Sequence, residues 1–132
     1  MKTLTSAQRA FLENPFVGVV TDLRPDGSPH STVVWVDVDD DGVSFNTARP
    51  RAKPRYLGND PRLSLVVIDP ADAYRWIAID GTATLVEEGA NAQIDRLAKK
   101  YAGLDSYPWH KPEETRVSVR IVPTRIEARG LD

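Results

Sequence analysis

The chain contains no cysteine, which excludes disulfide bridges, thiolate metal ligands and cysteine nucleophiles. Its only histidines, His30 and His110, lie far apart along the sequence, and neither is near a serine in an elbow motif, so the sequence supports no metal site and no acid–base role for them. No apolar run approaches the roughly 18 residues of a membrane helix, and no apolar segment follows a basic start at the N-terminus. We therefore expect no membrane partner, no signal peptide and a cytoplasmic protein.

An overall excess of positive charge is also lacking. The formal net charge is −2, which argues against general nucleic-acid binding. With 132 residues, of which 41% are apolar, residues 1–132 are expected to form one domain that buries its own core. Ten prolines and eight glycines favour many turns and short strands over a helical bundle.

Positive charge is concentrated in one short segment of this acidic chain. Residues 49–62 contain five basic residues and one acidic residue, whereas the rest of the chain carries 12 basic and 18 acidic groups. The most closely spaced cations are Arg49, Arg51, Lys53 and Arg55. Cations this close repel each other and require counter-ions or a bound anionic ligand. The segment therefore predicts an anion-binding turn, and the alternative is a solvated turn whose basic side chains pair with the protein's own acids.

Periodicity and turn residues predict a mainly β, α+β chain. Three helices are indicated: one after a Thr5-Gln8 capping box, one with Pro54 at its first position that ends near residues 58–59, and one over residues 90–101. Seven strands are predicted at residues 16–21, 29–38, 43–46, 62–68, 74–86, 116–122 and 125–129, the last two separated by Pro123. Such short, meandering strands indicate a small antiparallel barrel.

Three local patterns lead to further expectations. Residues 37–42 match the first half of an EF-hand loop, but Ala48 stands where a glutamate is needed and strands flank the loop, so we expect an acidic hairpin turn. The pair Asp80-Gly81 within a long strand predicts a β-bulge or a close approach of two backbones. Lys99 and Lys100 are expected on the solvated side of the third helix.

The order of these elements and four sequence motifs resemble those of the flavin/deazaflavin oxidoreductase superfamily, the split β-barrel proteins related to pyridoxamine 5′-phosphate oxidase. The motifs are P-R-A-K-P-R-Y-L at residues 50–57, N-D-P-R-L-S-L at 59–65, D-G-T-A-T-L at 80–85 and the loop at 101–109. The similarity covers residues 16–131 and is greatest to the actinobacterial branch that uses the deazaflavin coenzyme F420. It implies an FMN-binding-like split barrel that forms a homodimer, with two cofactor sites at the subunit interface.

The resemblance also implies which residues hold the cofactor. Arg51 and Lys53, with Ala52 between them, match positions that bind the cofactor phosphate, and Asn46 and Thr47 lie where the preceding strand reaches it. The strand edge that meets the ring corresponds to Ser31, Thr32, Val33, Val34 and Trp35. Tyr74 and Trp76 match a strand that approaches the ring from the other subunit. The sequence offers no nucleophile or carboxylate pair as a catalytic residue, and no metal ligand is assigned.

By this resemblance the chain is an F420-dependent oxidoreductase that transfers a hydride from the reduced deazaflavin to an electron-poor small molecule such as an enoate, a quinone or a conjugated heterocycle. The local positive charge suits the acidic phosphate and glutamate tail of that cofactor. Three alternatives remain: an FMN-dependent enzyme of the same fold, a carrier that binds F420 without turnover, and a barrel that binds single-stranded nucleic acid. The phosphate segment departs from the pattern of flavin-using oxidases, which favours F420 over FMN, and the acidic remainder of the chain opposes nucleic acid.

Overall fold

The computed structural model describes residues 2–131, which form three helices and seven strands. The helices are α1 (Ser6–Leu12), α2 (Ala52–Asn59) and α3 (Ala90–Ala102), and none of these described helices is long and apolar enough to cross a membrane. The strands are β1 (Gly18–Leu23), β2 (Pro29–Val34), β3 (Val36–Asp39), β4 (Gly42–Arg49), β5 (Arg62–Asp69), β6 (Asp72–Val86) and β7 (Thr115–Arg129). All pairings are antiparallel in the order β2-β1-β5-β6-β7-β4-β3, so the predicted mainly β split barrel is confirmed.

The strand predicted at residues 29–38 is wrong as a single element, because it divides at Trp35. Before Trp35, β2 pairs with β1, whereas β3 after it pairs with β4 at the opposite edge of the sheet. Since β2 and β3 are consecutive in the chain, the sheet curls until its two edges meet at Trp35. The sequence pattern does not reveal this division, because the alternation continues across it and buries both Val34 and Val36.

The corner at Trp35 is fixed by the end of α3. The hydroxyl of Tyr101 donates to the carbonyl of Phe16 at 2.7 Å and accepts the amide of Val36 at 3.0 Å. The ring of Tyr101 stacks on Trp35 with centroids 5.4 Å apart and planes inclined by 3°. The Tyr101 hydroxyl thus satisfies the carbonyl of Phe16, just before β1, and the amide of Val36 at the start of β3, so the end of α3 connects these two parts of the barrel.

The barrel is split along the second half of β4. In the described chain, β3 pairs with β4 only as far as Phe45, so residues 46–49 of β4 pair with β7 alone. The first turn of α2 follows β4 directly, and Lys53 on that turn donates to Thr32 on β2. A gap therefore lies between β2 and β4, bordered by α2.

The barrel interior is filled by alternate residues of the strands, as their period of two predicts. The fully buried side chains include Val20, Phe45, Leu65, Val67, Ile77, Ile79, Val117 and Val119. The helix α1 adds Phe11 and Leu12 to this core. Its predicted capping box is confirmed, since the Thr5 hydroxyl accepts the Gln8 amide at 3.1 Å and the Gln8 side chain accepts the Thr5 amide at 2.9 Å.

Three smaller expectations are corrected. The last two predicted strands are one strand, β7, because a register shift at Asp80-Gly81 accommodates Pro123 within the ladder. The helix α2 begins at Ala52 rather than at Pro54, and the proline is still within the first turn, where no N–H donor is needed. Lys100 is not simply solvated, because its ammonium donates to the carbonyls of Leu12 and Val36, each at 2.7 Å.

Gly81 lies where two backbones approach closely, as the sequence predicted. A Cβ atom at this position would be 2.3 Å from the carbonyl oxygen of Val122. We therefore expect Gly81→Ala to lower the free energy of unfolding by about 2 kcal/mol or more, measured by urea denaturation. Gly58→Ala in α2 is the matched control, because no atom lies within 4 Å of the position that its Cβ would take. This substitution should raise the free energy of unfolding by about 0.5 kcal/mol. An unchanged unfolding midpoint for Gly81→Ala would contradict the close approach.

Candidate functional site

A cavity of about 320 Å³ lies at the gap between β2 and β4. Its walls come from these two strands, from α2 and α3, from the loop after α3 and from the start of β7. Three lining residues are cations, and no carboxylate of the described chain lines it. The cavity therefore presents positive charge beside apolar and aromatic side chains.

Seven of the residues that the resemblance assigned to cofactor binding line this cavity: Val33, Val34, Trp35, Asn46, Thr47, Arg51 and Lys53. Three others are their neighbours in the fold: Thr32 accepts a hydrogen bond from Lys53, Ala52 opens α2, and the Ser31 hydroxyl bonds that of Thr21. Tyr74 and Trp76 lie apart from the cavity on β6. The fold thus gathers the predicted phosphate and ring positions within a single chain and leaves Tyr74 and Trp76 outside the cavity.

Lys53 and Arg55 are the two cations of the basic segment without an acidic partner in the described chain, and of these two only Lys53 lines the cavity. Its ammonium is half-buried and donates to the hydroxyl of Thr32 at 3.1 Å, and no carboxylate of the described chain lies within salt-bridge distance. Burial lowers the pKa of Lys53; the nearby Asp22 carboxylate raises this pKa, and the charge of Arg51 lowers it further. The result is a partly desolvated ammonium that is available to an anionic ligand.

Arg51 differs from Lys53 because its charge is already paired. Its guanidinium donates to both carboxylate oxygens of Glu114, at 2.6 and 2.9 Å. The hydrogen bond from Arg51 lowers the pKa of Glu114, and the same bond raises the pKa of Arg51. Arg49 and Arg62 also pair with acids, Glu87 and Asp60. These three arginines follow the alternative interpretation of the basic segment, in which the protein neutralises its own cations.

Asn46 builds the wall of the cavity. Its amide donates to the carbonyl of Ala90 and to the side chain of Gln93, both at 2.9 Å, and so ties α3 to the sheet. Its side-chain oxygen accepts Nη1 of Arg116 at 3.3 Å. The neighbouring Thr47 is buried, and its hydroxyl has no hydrogen-bond partner in the structure. Asn46 therefore positions α3 and Arg116 in addition to lining the cavity.

Sequence reasoning missed the five lining residues that follow the basic segment: Ile94, Leu97, Tyr107, Trp109 and Arg116. Arg116 is only 6% exposed, its guanidinium carbon lies 4.6 Å from the ring centre of Tyr107, and its Nη2 has no hydrogen-bond partner. The sequence pattern at the start of β7 does not show whether its arginine is buried or exposed. The burial of Arg116 depends on which other elements of the fold pack over it. Tyr107 and Trp109 lay in a recognised loop, but nothing local assigned them to the cavity.

A second polar cluster lies on β1 and β2 beside α2. Asp22 is 1% exposed, and its Oδ1 lies 2.8 Å from Nδ1 of His30, while its other oxygen has no hydrogen-bond partner. Tyr56 of α2 packs edge-on against His30, with centroids 5.3 Å apart. Asp22 contributes negative potential at Lys53. Among residues 2–131, no group of three or more His, Asp or Glu side chains is placed to hold a metal ion.

The outer surface of β1, β2, β5 and the start of β6 carries a continuous apolar patch, here called the outer apolar face. Its members are Val17, Val19, Val33, Val66, Ile68, Tyr74 and Trp76. Cross-strand register makes them neighbours: Val19 is opposite both Val33 and Val66, and Ile68 is opposite Trp76. Val33 belongs both to this face and to the cavity lining, so the two features are continuous.

Comparison with known proteins gives a consistent result. The sequence matches the family model of pyridoxamine 5′-phosphate oxidase over residues 4–130. It is similar to an F420 reductase of known structure, with a TM-score of 0.79 and 26% identity over 94% of this chain and 98% of that one. The conserved hypothetical protein Rv2991 of Mycobacterium tuberculosis has a TM-score of 0.74 and 25% identity, with 98% and 89% of the two chains covered. The heme storage protein HutZ of Vibrio cholerae, 17% identical with a TM-score of 0.69 over 98% and 97% of the chains, shares the fold.

Proposed function

The chain belongs to the pyridoxamine 5′-phosphate oxidase family, and on this premise we propose that it is an F420-dependent oxidoreductase. Its reaction is the transfer of a hydride from the reduced deazaflavin to an electron-poor small molecule such as an enoate, a quinone or a conjugated heterocycle. The observation that carries the proposal is Lys53, a half-buried ammonium with no carboxylate partner in the described chain, in a cavity beside the β2 edge. The similarity to an F420 reductase supports the choice of cofactor.

The cavity has the donors and walls that an acidic cofactor with a planar ring requires. Lys53 has one hydrogen bond in the structure and so retains N–H groups for acidic oxygens. The buried guanidinium of Arg116, whose Nη2 lies 3.8 Å from Glu114, adds positive charge to the cavity wall. Ile94 and Leu97 give an apolar wall from α3. When bound, the cofactor supplies the hydride chemistry, which explains why the cavity needs no nucleophile or carboxylate pair.

The residues of the chain bind, orient and exclude water. Lys53 binds the phosphate through a charge-assisted hydrogen bond. Trp35, held by its stacking on Tyr101, gives a rigid wall against which a ring is oriented. Ile94, Leu97 and the exposed ring of Trp109 keep water from the bound ligand, so electrostatic interactions inside the cavity are stronger than in solvent.

We also propose that the outer apolar face is covered by a second copy of the chain. Contiguous exposed apolar surface of this kind marks an interaction site. Tyr74 is 76% exposed in the single chain, and a partner subunit packed on this face would bury it. Because Val33 joins the face to the cavity, a homodimer formed here brings Tyr74 and Trp76 of one subunit towards the cavity of the other, as the resemblance implied.

Two alternatives use the same cavity. An FMN-dependent enzyme would place the FMN phosphate at Lys53 and the ring along β2. A carrier would bind F420 without turnover, which the lack of a lining carboxylate in the described chain also permits. The similarity to the heme storage protein supports no third function for the cavity, because at 17% identity it shows only a shared fold.

Titration of the protein with F420 and with FMN, side by side, separates these functions. Trp35 and Trp109 line the cavity, so ligand binding should quench tryptophan fluorescence. We expect F420 to bind at least about tenfold more tightly than FMN, a difference of about 1.4 kcal/mol. Tighter FMN binding, or a protein that purifies yellow, would establish the FMN alternative. F420 binding without oxidation of its reduced form by any enoate, quinone or heterocycle in a broad panel would identify a carrier.

A further inference from the structure

Asp22 on β1 is a buried carboxylate that does not line the cavity. It is 1% exposed, and its Oδ1 lies 2.8 Å from Nδ1 of His30, whereas its Oδ2 has no hydrogen-bond partner in the structure. A carboxylate this deeply buried has lost most of its hydration. Since little water screens a charge at this depth, Asp22 acts strongly on ionisable groups near it.

The sheet register brings Asp22 close to Lys53. The ammonium of Lys53 donates to the hydroxyl of Thr32 at 3.1 Å. In the antiparallel pair of β1 and β2, Thr32 is opposite Val20, and Asp22 follows two residues later on β1. Val20 and Asp22 are both buried, so both point to the inner side of the sheet. Asp22 is thus a diagonal neighbour of Thr32, at a typical Cα separation of about 7–8 Å. At this range its charge reaches the Lys53 ammonium.

The other surroundings of Lys53 disfavour a positive charge. The ionisable side chains of the cavity and of the adjoining polar cluster are Asp22, His30, Arg51, Tyr56, Tyr107 and Arg116. Arg51 and Arg116 are cations that line the same cavity as Lys53. Burial lowers the pKa of Lys53, the Asp22 carboxylate raises it, and the charge of Arg51 lowers it. Asp22 is therefore the member of this group that favours the charged form of Lys53.

We propose that Asp22 is a positioning residue for the cofactor phosphate: from outside the cavity, its buried carboxylate keeps the half-buried Lys53 side chain in the charged form that binds the anion. This inference rests on the proposed function and deepens it. A carboxylate in the cavity wall would repel the phosphate at short range. A carboxylate on β1 stabilises the ammonium without touching the ligand, and distance weakens its repulsion of the phosphate.

Asp22→Asn tests the proposal because it removes the charge and keeps the shape of the side chain. The protein is labelled with isotopically enriched lysine, and the NMR shift of the Lys53 Cε atom is followed against pH without cofactor. The Lys53 resonance is the one that is absent from Lys53→Met. Its titration midpoint should lie about one pH unit lower in Asp22→Asn than in the wild type.

Asp69→Asn is the matched control. Asp69 is also a buried aspartate, 8% exposed, but it pairs with Arg75 and does not line the cavity. It is not among the charges that act on Lys53. This substitution should leave the Lys53 midpoint unchanged.

The affinity for F420 gives a second readout. At a pH where Lys53 is charged in both proteins, the wild type and Asp22→Asn should bind F420 within about threefold of each other. As the pH rises, the affinity should fall first in the variant, because its Lys53 loses the proton first. Between the two midpoints the variant should bind up to about tenfold more weakly. Tryptophan fluorescence measures both profiles.

A purely structural role for Asp22, exerted through His30, predicts a different result. Asp22→Asn would then weaken F420 binding by the same factor at every pH and leave the Lys53 midpoint unchanged, which would overturn the proposal. If Asp22→Asn does not fold, the double variant Asp22→Asn/Lys53→Met decides. Folding restored by loss of the ammonium supports the action of Asp22 on Lys53, and a double variant that also fails to fold refutes it.

The two readouts also separate this inference from the proposed function. An unshifted Lys53 midpoint in an Asp22→Asn protein that binds F420 would refute the role of Asp22 and leave the cofactor assignment standing. A lowered midpoint in a protein whose wild type does not bind F420 would refute the proposed cofactor and leave the action of Asp22 on Lys53 intact.

Discussion

Replacing Lys53 with methionine should weaken F420 binding by about tenfold or more. The substitution keeps a chain of similar length on α2 and removes the ammonium that donates to Thr32 and faces the cavity. A charge-assisted hydrogen bond contributes roughly 1.5–3 kcal/mol, and about 1.4 kcal/mol corresponds to a factor of ten. Fluorescence titration of the wild type and the variant at equal ionic strength measures the change.

Arg55→Met provides the matched control, because Arg55 is an exposed cation two positions further along α2 that lies over the ring of Tyr56. The affinity of the Arg55→Met variant for F420 should stay within about twofold of the wild-type value. Arg51→Ala is a different experiment, since it leaves the buried Glu114 carboxylate without its bidentate partner and should therefore also lower stability. If the wild type and Lys53→Met bound F420 with equal affinity, the assignment of Lys53 as a phosphate-binding residue would be wrong.

The same Lys53 substitution should leave the fold at least as stable as the wild type at neutral pH. The pKa of Lys53 is lowered on folding, chiefly by burial, so the charged side chain costs stability wherever it stays protonated. That cost is fully present at pH below the lowered pKa and disappears as the pH rises from the folded value towards the ordinary one. Methionine at this position removes the cost, and thermal unfolding at pH 7 should show an equal or higher midpoint.

Val66→Asp should convert the proposed homodimer into a monomer and weaken F420 binding by about tenfold or more. Val66 is at the centre of the outer apolar face, opposite Val19 on β1, and it does not line the cavity. An unpaired carboxylate buried in an interface costs several kcal/mol. In the proposed homodimer, separation of the subunits would also remove Tyr74 and Trp76 from the partner's cavity. Light scattering after size exclusion measures the mass, and a titration of the same fractions measures the affinity.

Val122→Asp is the matched control, because Val122 on β7 has the same exposed fraction as Val66, 42%, and pairs with Thr82, outside the face. It should leave both the mass and the affinity unchanged. A wild-type protein that elutes as a monomer at micromolar concentration, yet binds F420 with full affinity, would show that the site is complete within one subunit and that the outer apolar face has another use.

Local sequence patterns predicted most of the elements of the fold. The alternation of β5 and β6, the capping box at Thr5, the helical spacing of α3 and the bulge at Gly81 all follow from interactions between residues close in the chain or from the space at one residue. The division at Trp35 escaped prediction for a physical reason. The same faces stay buried on both sides of it, so hydrophobic periodicity is unchanged while the pairing partner changes from β1 to β4.

The candidate site was located by sequence only in part. The basic segment indicated an anion-binding region and contained Lys53, but Arg51 appeared equivalent to it until the fold placed Glu114 on its guanidinium. Arg116 gave no local signal, since its burial depends on its contacts with Asn46 and Tyr107, which are brought to it by β4 and by the loop after α3.

By itself, the sequence determined where strands, turns and helices form and where positive charge accumulates, because these properties depend on neighbouring residues. Only the tertiary structure decided which cations remain available to a ligand and which apolar residues stay exposed. The reason is that ion pairing and burial are set by contacts between residues far apart in the chain, such as Arg51 with Glu114 and Val19 with Val66.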